Sequence, residues 1–385
     1  MSQLVEDKKA PGIIFLLYEK GKTRFLQKYG WQDIENEILL EFDAIFRIYS
    51  MTKPIITIAL MMLFEERKFK LNDPISKFLP EFKDMKVFVK EENGKIITEE
   101  LEREITILDL FTHTSGLGSK ETDDPIDKQY KEKLSFDKTK VMSLEQVITV
   151  ISSFPLRFQP GRYFKYSYGL DVLGRLIEVL SEKPLDEFLK ERVFHPLEME
   201  DTAFYVPREK LDRFIKIYTY NEDNTLEVVN TPSEIERYDI SHKFFSGGGG
   251  LVSTIKDFFN FASIFLNKGI FKGNRLLSPE TIDLITKNHL KNNQTIPDLV
   301  LDRVPDDNYF LNLTGYGQGL GIRVLIEEGI RPTAIGEHGW GGAAETFYWV
   351  DPLNKVLGIF MTQLIPDLTN EIWRVMQLAY SGLGL

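Results

Sequence analysis

The chain has 385 residues, 43% of them apolar and 27% charged, with a formal net charge of −11 and no cysteine. That length can bury a large core, in one large domain or two closely packed ones. The acidic balance, spread along the chain, argues against nucleic acid and anionic membrane surfaces as partners, and the lack of cysteine excludes disulfides, zinc–thiolate sites and thiol catalysis.

Residues 1–9 are polar and mixed in charge, and the apolar run 13–17 is too short for a signal peptide, so a cytoplasmic protein is the expectation. The longest apolar run, 54–64, is too short to span a bilayer. Residues 12–18 and 23–29 read as strands joined in a hairpin by Glu19-Lys20-Gly21-Lys22. Gly21-Lys22-Thr23 resembles the end of a phosphate loop, but Leu16 stands where that loop needs glycine.

A β-like run, 44–49, then leads into an apolar helix over 55–64 that closes near Lys70. At the joint lies Ser50-Met51-Thr52-Lys53. Positions i and i+3 share a helix face, which brings hydroxyl and amine within reach of each other. Serine needs a neighbouring base to become a nucleophile, and a lysine can serve when burial disfavours its charge. Helix N-terminal N–H groups favour the negative charge that a carbonyl acquires when attacked, and Pro54 suits the first turn. The Ser-x-x-Lys spacing occurs twice more. Ser135-Phe136-Asp137-Lys138 lies in a charged stretch that reads as loop. Ser253-Thr254-Ile255-Lys256 opens a helix over 257–267, with Ser253 or Thr254 as its N-cap. By the pattern alone, Ser50 is as readily a cap as a nucleophile.

From 71 to about 245 the chain reads as helices and long loops. Short helices fall at 75–79 and 107–111, with an exposed hairpin of 86–90 and 95–98 between them. A charged loop or lid covers 120–140, and helical periodicity marks 144–152, 169–180 and 185–194. Asp109 and Glu187 read as solvated helix positions. Ser246-Gly247-Gly248-Gly249-Gly250-Leu251 lacks phosphate-loop spacing and reads as a tight turn or a close backbone approach. Beyond it, 288–312 is polar loop, 315–325, 347–350 and 356–362 are strands, and 370–380 is an amphipathic helix.

Strands at both ends with helices between them predict an α+β fold. Residues 1–75 and 245–385 would form a central antiparallel sheet flanked by helices, and 76–244 a mostly helical second lobe carrying Tyr166. A site would lie in the cleft between them. Tyr166, after the Gln159-Pro160-Gly161 turn and before a helix, is a candidate base or proton shuttle, against the plainer reading of a core tyrosine. In Glu337-His338-Gly339-Trp340-Gly341-Gly342-Ala343 the glycines allow a close backbone approach, and exposed N–H groups could form an oxyanion hole. There is no Gly-x-Ser-x-Gly, and His113, His195, His242, His289 and His338 form no ligand pair, so neither metal nor cofactor is expected.

Four motifs in order carry a resemblance: Ser50-Met51-Thr52-Lys53-Pro54, Leu110-Phe111-Thr112-His113-Thr114-Ser115-Gly116-Leu117, Tyr166-Ser167 leading into Asp171-Val172-Leu173-Gly174-Arg175, and Trp340-Gly341-Gly342. The chain resembles the serine β-lactamase-related superfamily, and most of all its class C-like carboxylesterases (family VIII), from about Gly12 to the C-terminus. The resemblance implies a β-lactamase/transpeptidase-like fold, as in penicillin-binding proteins. It implies Ser50 as the acyl-accepting nucleophile, Lys53 and Tyr166 sharing proton transfer, and an oxyanion hole from the Ser50 and Ala343 N–H groups. Trp340-Gly341-Gly342 would lie on an edge strand, where relatives carry Lys-Thr-Gly or His-Thr-Gly. Tyr168 replaces an asparagine that contacts the lactam side chain, and Trp340 replaces the residue that holds a β-lactam carboxylate. If His338-Gly339-Trp340 were the matching triplet, an imidazole would be restored, but counting back from Tyr348-Trp349-Val350-Asp351-Pro352 favours Trp340. The resemblance thus implies hydrolysis of a small, uncharged, short-chain ester through an acyl-Ser50 intermediate. β-Lactamase, D-amino-acid peptidase and acyltransferase chemistry are alternatives at the same site.

Overall fold

The structure is a computed structural model and describes residues 1–120, 122–229, 231, 236–301, 309–365 and 369–385. Strands β1 (Gly12–Glu19) and β2 (Lys22–Asp33) form the expected hairpin. Lys20 and Gly21 both take positive φ, 47° and 86°, in the two-residue turn whose twist suits a hairpin. Beyond β3 (Ile38–Leu39), the main sheet is completed from the far end of the chain by β4 (Tyr316–Gln318), β5 (Arg323–Leu325), β6 (His338–Gly342), β7 (Thr346–Asp351) and β8 (Val356–Met361). The order is β4-β5-β6-β7-β8-β1-β2-β3, with every neighbouring pair antiparallel. The two ends of the chain therefore meet where β1 pairs with β8, Leu16 opposite Ile359.

The helices that matter to the site and the core are α1 (Thr52–Glu65), α2 (Ile107–Phe111), α3 (Pro125–Lys133), α4 (Gly169–Ser181), α5 (Ile255–Leu266) and α6 (Thr369–Leu383). The period-2 alternation of β1 feeds two cores. Ile13, Phe15 and Leu17 pack with Trp349 and with Ile372, Met376 and Tyr380 of α6. Ile14 and Leu16 join the larger core that contains α1 and α5. Every residue of α1 from Thr52 to Leu63 is buried, as a helix apolar on all sides requires. This is the β-lactamase/transpeptidase-like fold.

Several local expectations are corrected. The stretch expected as a charged loop or lid carries a helix among its described residues: Asp124 accepts the Ile126 and Asp127 N–H groups at the start of α3, which buries Ile126, Asp127 and Tyr130. Ser135-Phe136-Asp137-Lys138 opens a short helix, Phe136–Thr139, rather than a loop. Residues 315–325 are a pair of strands, β4 and β5, with Gly321 in the connection at a φ of 70°. The stretch 288–312 carries a short helix, Ile296–Leu299, seated on buried Ile296, and its residues 302–308 lie outside the described ones. The middle of the chain also holds an unforeseen ribbon, Tyr218–Tyr220 with Leu226–Val228. Asp109 is buried, closing a capping box with Thr106 and taking two hydrogen bonds from Arg103 at 2.6 and 2.8 Å. Finally, β6 is interior to the sheet. However, β5 pairs only with His338 and Gly339, which leaves residues 340–342 without a strand partner on that side among the described residues.

Thr254 is the N-cap of α5 and accepts the Asp257 N–H, as expected. No helix among the described residues is long and apolar enough to cross a membrane.

Gly358 in β8 lies directly under the Trp349 indole, where a Cβ would collide with the ring. Gly358→Ala should therefore cost about 1–3 kcal/mol of stability, read as a lower urea midpoint. An unchanged midpoint would show that the contact is not constrained.

Candidate active site

Ser50 sits in a single 3₁₀ turn, Tyr49–Met51, which runs directly into α1. Tyr49, just before it, takes a φ of 40°, a conformation a bulky residue adopts only under constraint and at a cost of about 1–3 kcal/mol. Two neighbours hold that turn. Leu251, at the end of the glycine run, accepts the Ile48 N–H and donates its own to Thr52 Oγ1, each at 3.1 Å. On the other side Gly342 of β6 lies so close that a Cβ there would meet the Ile48 carbonyl. The glycine is required by space, and the end of β6 is thereby set beside Ser50.

The Ser50 hydroxyl is 2.6 Å from the Tyr166 hydroxyl, and Lys53 Nζ donates to Ser50 Oγ at 3.2 Å. Lys53 is 3% exposed; its amine also donates to the Gly248 carbonyl at 2.5 Å and lies 4.4 Å from the centre of the Tyr166 ring. The glycine run thus supplies an acceptor to a buried amine, and its glycines are needed for that approach. A Cβ on Gly247 would strike the Leu170 carbonyl, and one on Gly248 the Asp171 carboxylate.

Asp171, in the first turn of α4, is the first site residue that sequence reasoning left without a role. It is buried, and one carboxylate oxygen accepts Ser246 Oγ at 2.6 Å and the Gly248 N–H at 3.1 Å. Burial pushes its pKa up, against those hydrogen bonds and the Lys53 charge. The second is His113, fully buried at a φ of 55° after α2. Its ring centre is 4.8 Å from Tyr166, 5.7 Å from Phe164 and 6.3 Å from Trp340. Neither ring nitrogen has a partner among the described residues. Burial, and then the Lys53 charge, hold its pKa well below the usual histidine value. The motif containing His113 was legible, but the left-handed backbone that turns its ring under Tyr166 was not.

The other expected site residues divide. Trp340, 4% exposed, is 6.2 Å from Tyr166 between ring centres. Gly341 and Gly342 follow it on β6, and Ala343 is exposed at the turn beyond. Neither the Ser50 nor the Ala343 N–H is taken by a backbone carbonyl of the described residues. Tyr168 stacks on Tyr130 of α3 at 5.5 Å. His338 is not at the site: it is buried against Phe265 of α5 with Nδ1 2.9 Å from the Gly336 carbonyl, and burial pushes its pKa down to about 4. Trp340, not an imidazole, is therefore the β6 side chain beside Tyr166. Among the described residues no three His, Asp or Glu side chains converge as a metal site would need.

The Beta-lactamase family model matches residues 1–379. The chain belongs to the beta-lactamase family. Protein Rv1367c of Mycobacterium tuberculosis (strain ATCC 25618 / H37Rv) is 31% identical over 369 residues, spanning 93% of this chain and 87% of that one. Lovastatin esterase of Penicillium rubens is 27% identical over 348 residues, 86% and 82% of the two chains. The solved structure of EstCE1, "a hydrolase with promiscuous acyltransferase activity", superposes with a TM-score of 0.80 at 22% identity over 98% of this chain and 96% of that one, a likeness of fold. The beta-lactamase-family fold and esterase relatives make this chain a member of a serine hydrolase superfamily.

The buried surroundings of His113 give a direct test. Its imidazole should stay neutral well below the ordinary histidine pKa of about 6.5. The check is its ring nitrogen shifts by two-dimensional NMR; a midpoint near the ordinary value would contradict the packing described.

Proposed function

We propose that the protein is a serine carboxylesterase that cleaves short-chain, uncharged esters through an acyl-Ser50 intermediate. The observation that carries this is the placing of one hydroxyl, Ser50 Oγ, 2.6 Å from a phenol oxygen and 3.2 Å from a buried lysine amine. A lysine ammonium only donates hydrogen bonds. With Lys53 charged, Ser50 Oγ accepts from it, and the Ser50 proton is then directed at Tyr166 Oη. In this reading Tyr166 enters the step as the phenolate, its charge stabilised by Lys53, and takes that proton to become the neutral phenol as Oγ attacks the ester carbonyl. The Ser50 and Ala343 N–H groups receive the oxyanion. Tyr166 returns the proton to the leaving alcohol, water enters by the same path, and the acid departs from Ser50.

The walls favour an ester over a β-lactam. Trp340 occupies the β6 position beside Tyr166, and Phe310 also packs on that ring, 4.9 Å away between ring centres. An aromatic lining of this kind offers an apolar acyl or alcohol group more than it offers a carboxylate. The name of lovastatin esterase agrees with this choice. A second reading, transfer of the acyl group to an alcohol instead of water, uses the same intermediate and is favoured by the activity named for EstCE1.

The test is hydrolysis of p-nitrophenyl butyrate beside a chromogenic cephalosporin and a D-alanyl amide. The ester should be the best substrate by kcat/KM. Ser50→Ala should lower kcat on it by about a thousandfold or more, and Tyr166→Phe by at least about a hundredfold. A loss below about tenfold in Ser50→Ala would remove Ser50 as nucleophile. A cephalosporin turned over faster than the ester would replace the esterase reading with the β-lactamase one.

A further inference from the structure

The mechanism above leaves one buried carboxylate unused. Asp171 and Lys53 are both held by the backbone of Gly248: the N–H of that residue donates to Asp171 and its carbonyl accepts from Lys53. The two groups thus share one residue, Gly248, as a hydrogen-bonding partner and lie within direct electrostatic reach of each other. We infer that Asp171 is a positioning residue whose carboxylate is the buried counter-ion of Lys53 and keeps that lysine an ammonium during catalysis. This rests on the Ser50/Tyr166 reading above.

The packing makes the arrangement specific. Asp171 is held from three directions, by the Ser246 hydroxyl, by the Gly248 N–H and by the start of α4, where a negative charge is favoured. Gly248 cannot be any other residue without displacing either the carboxylate or the carbonyl that faces Lys53. The charged and titratable groups around the pair are few. Lys120, from the segment after α2, acts on Asp171 as a second cation until it titrates, burial having lowered its pKa to about 8. Lys53 itself is faced by the Ser50 hydroxyl and the Tyr166 ring and lies within electrostatic reach of the His113 ring. Among these, Asp171 is the group able to carry a full negative charge without taking part in the proton transfer. A buried ammonium with no such partner loses its proton more readily, since burial disfavours the charged form and an opposite charge nearby favours it.

If Lys53 must be charged to steady the Tyr166 oxygen, removing the carboxylate costs activity first at high pH. Asp171→Asn keeps the shape and the hydrogen-bonding capacity but not the charge. Its kcat/KM for p-nitrophenyl butyrate should fall about ten- to hundredfold at pH 9, and the alkaline limb of the pH profile should move down by about one unit or more. Ser246→Ala keeps the charge but removes a hydrogen bond that favours it, so its acid limb should move to higher pH. This second variant answers the question if Asp171→Asn does not fold. A purely structural role would lower the rate of either variant evenly with the limbs in place, and that result overturns the inference. Ser50→Ala, run alongside, separates the two readings. If it retains the ester rate, the nucleophile assignment fails. If it is inactive while the two profiles keep the wild-type limbs, only the role of Asp171 fails.

Discussion

A lysine amine taken out of water must be given acceptors, and meeting that requirement for Lys53 shapes the whole cleft. One acceptor is the Ser50 hydroxyl three residues earlier, which the helix provides at no further cost. The other is the Gly248 carbonyl, nearly 200 residues away in sequence. To deliver it, the chain must bring residues 246–251 against both the Ser50 turn and the start of α4, close enough that side chains at Gly247 and Gly248 would not fit. Tyr166 then has one place to go, with its ring against the lysine and its oxygen on Ser50. The antiparallel sheet contributes the remaining wall. The end of β6 is pressed against the Ile48 carbonyl at Gly342, which sets Trp340 and the Ala343 turn on the other side of the serine.

Beneath these groups the packing is aromatic. His113 lies under Tyr166 and Trp340, buried and without hydrogen bonds among the described residues, and behaves there as a flat apolar ring. The fold can place a histidine here because α2 ends in a left-handed residue, anchored upstream by the Thr106–Asp109 capping box and its pair of bonds to Arg103. The same logic holds at α3. Fully buried Asp127 accepts from Ser119 and Thr122 and faces Lys165, the residue before Tyr166, at 3.2 Å. Segments that look charged and mobile in one dimension are the braces of the site in three.

What the sequence discloses is what local geometry determines. The i, i+3 spacing of Ser50 and Lys53, the Glu19-Lys20-Gly21-Lys22 turn and the period-2 pattern of β1 are set within a few residues, and each is legible. The glycine run could be read as a close backbone approach, though not what it approaches. Helix α3 was hidden because Lys128, Lys131 and Lys133 swamp a two-residue apolar signal, Ile126 and Tyr130, four positions apart on one face. The β4–β5 reversal was hidden because both strands are buried and the turn between them shows little beyond Gly319 and Gly321. The places of Asp171 and His113 depend on contacts between distant segments, or on a backbone angle, that no periodicity reports. The choice between His338 and Trp340, two positions apart on one strand, required the register of β6 against β7 and the position of α5.

Passage of an acyl group through Ser50 can be observed directly by acid-quench mass spectrometry of the protein during turnover of p-nitrophenyl acetate, followed by peptide mapping. Acylation at Ser50 should leave one acetyl group on the peptide bearing Ser50, formed and discharged at rates compatible with turnover, and none on the Ser50→Ala protein. Turnover without that adduct, or an acetyl group on another residue that is discharged at the turnover rate, would contradict it.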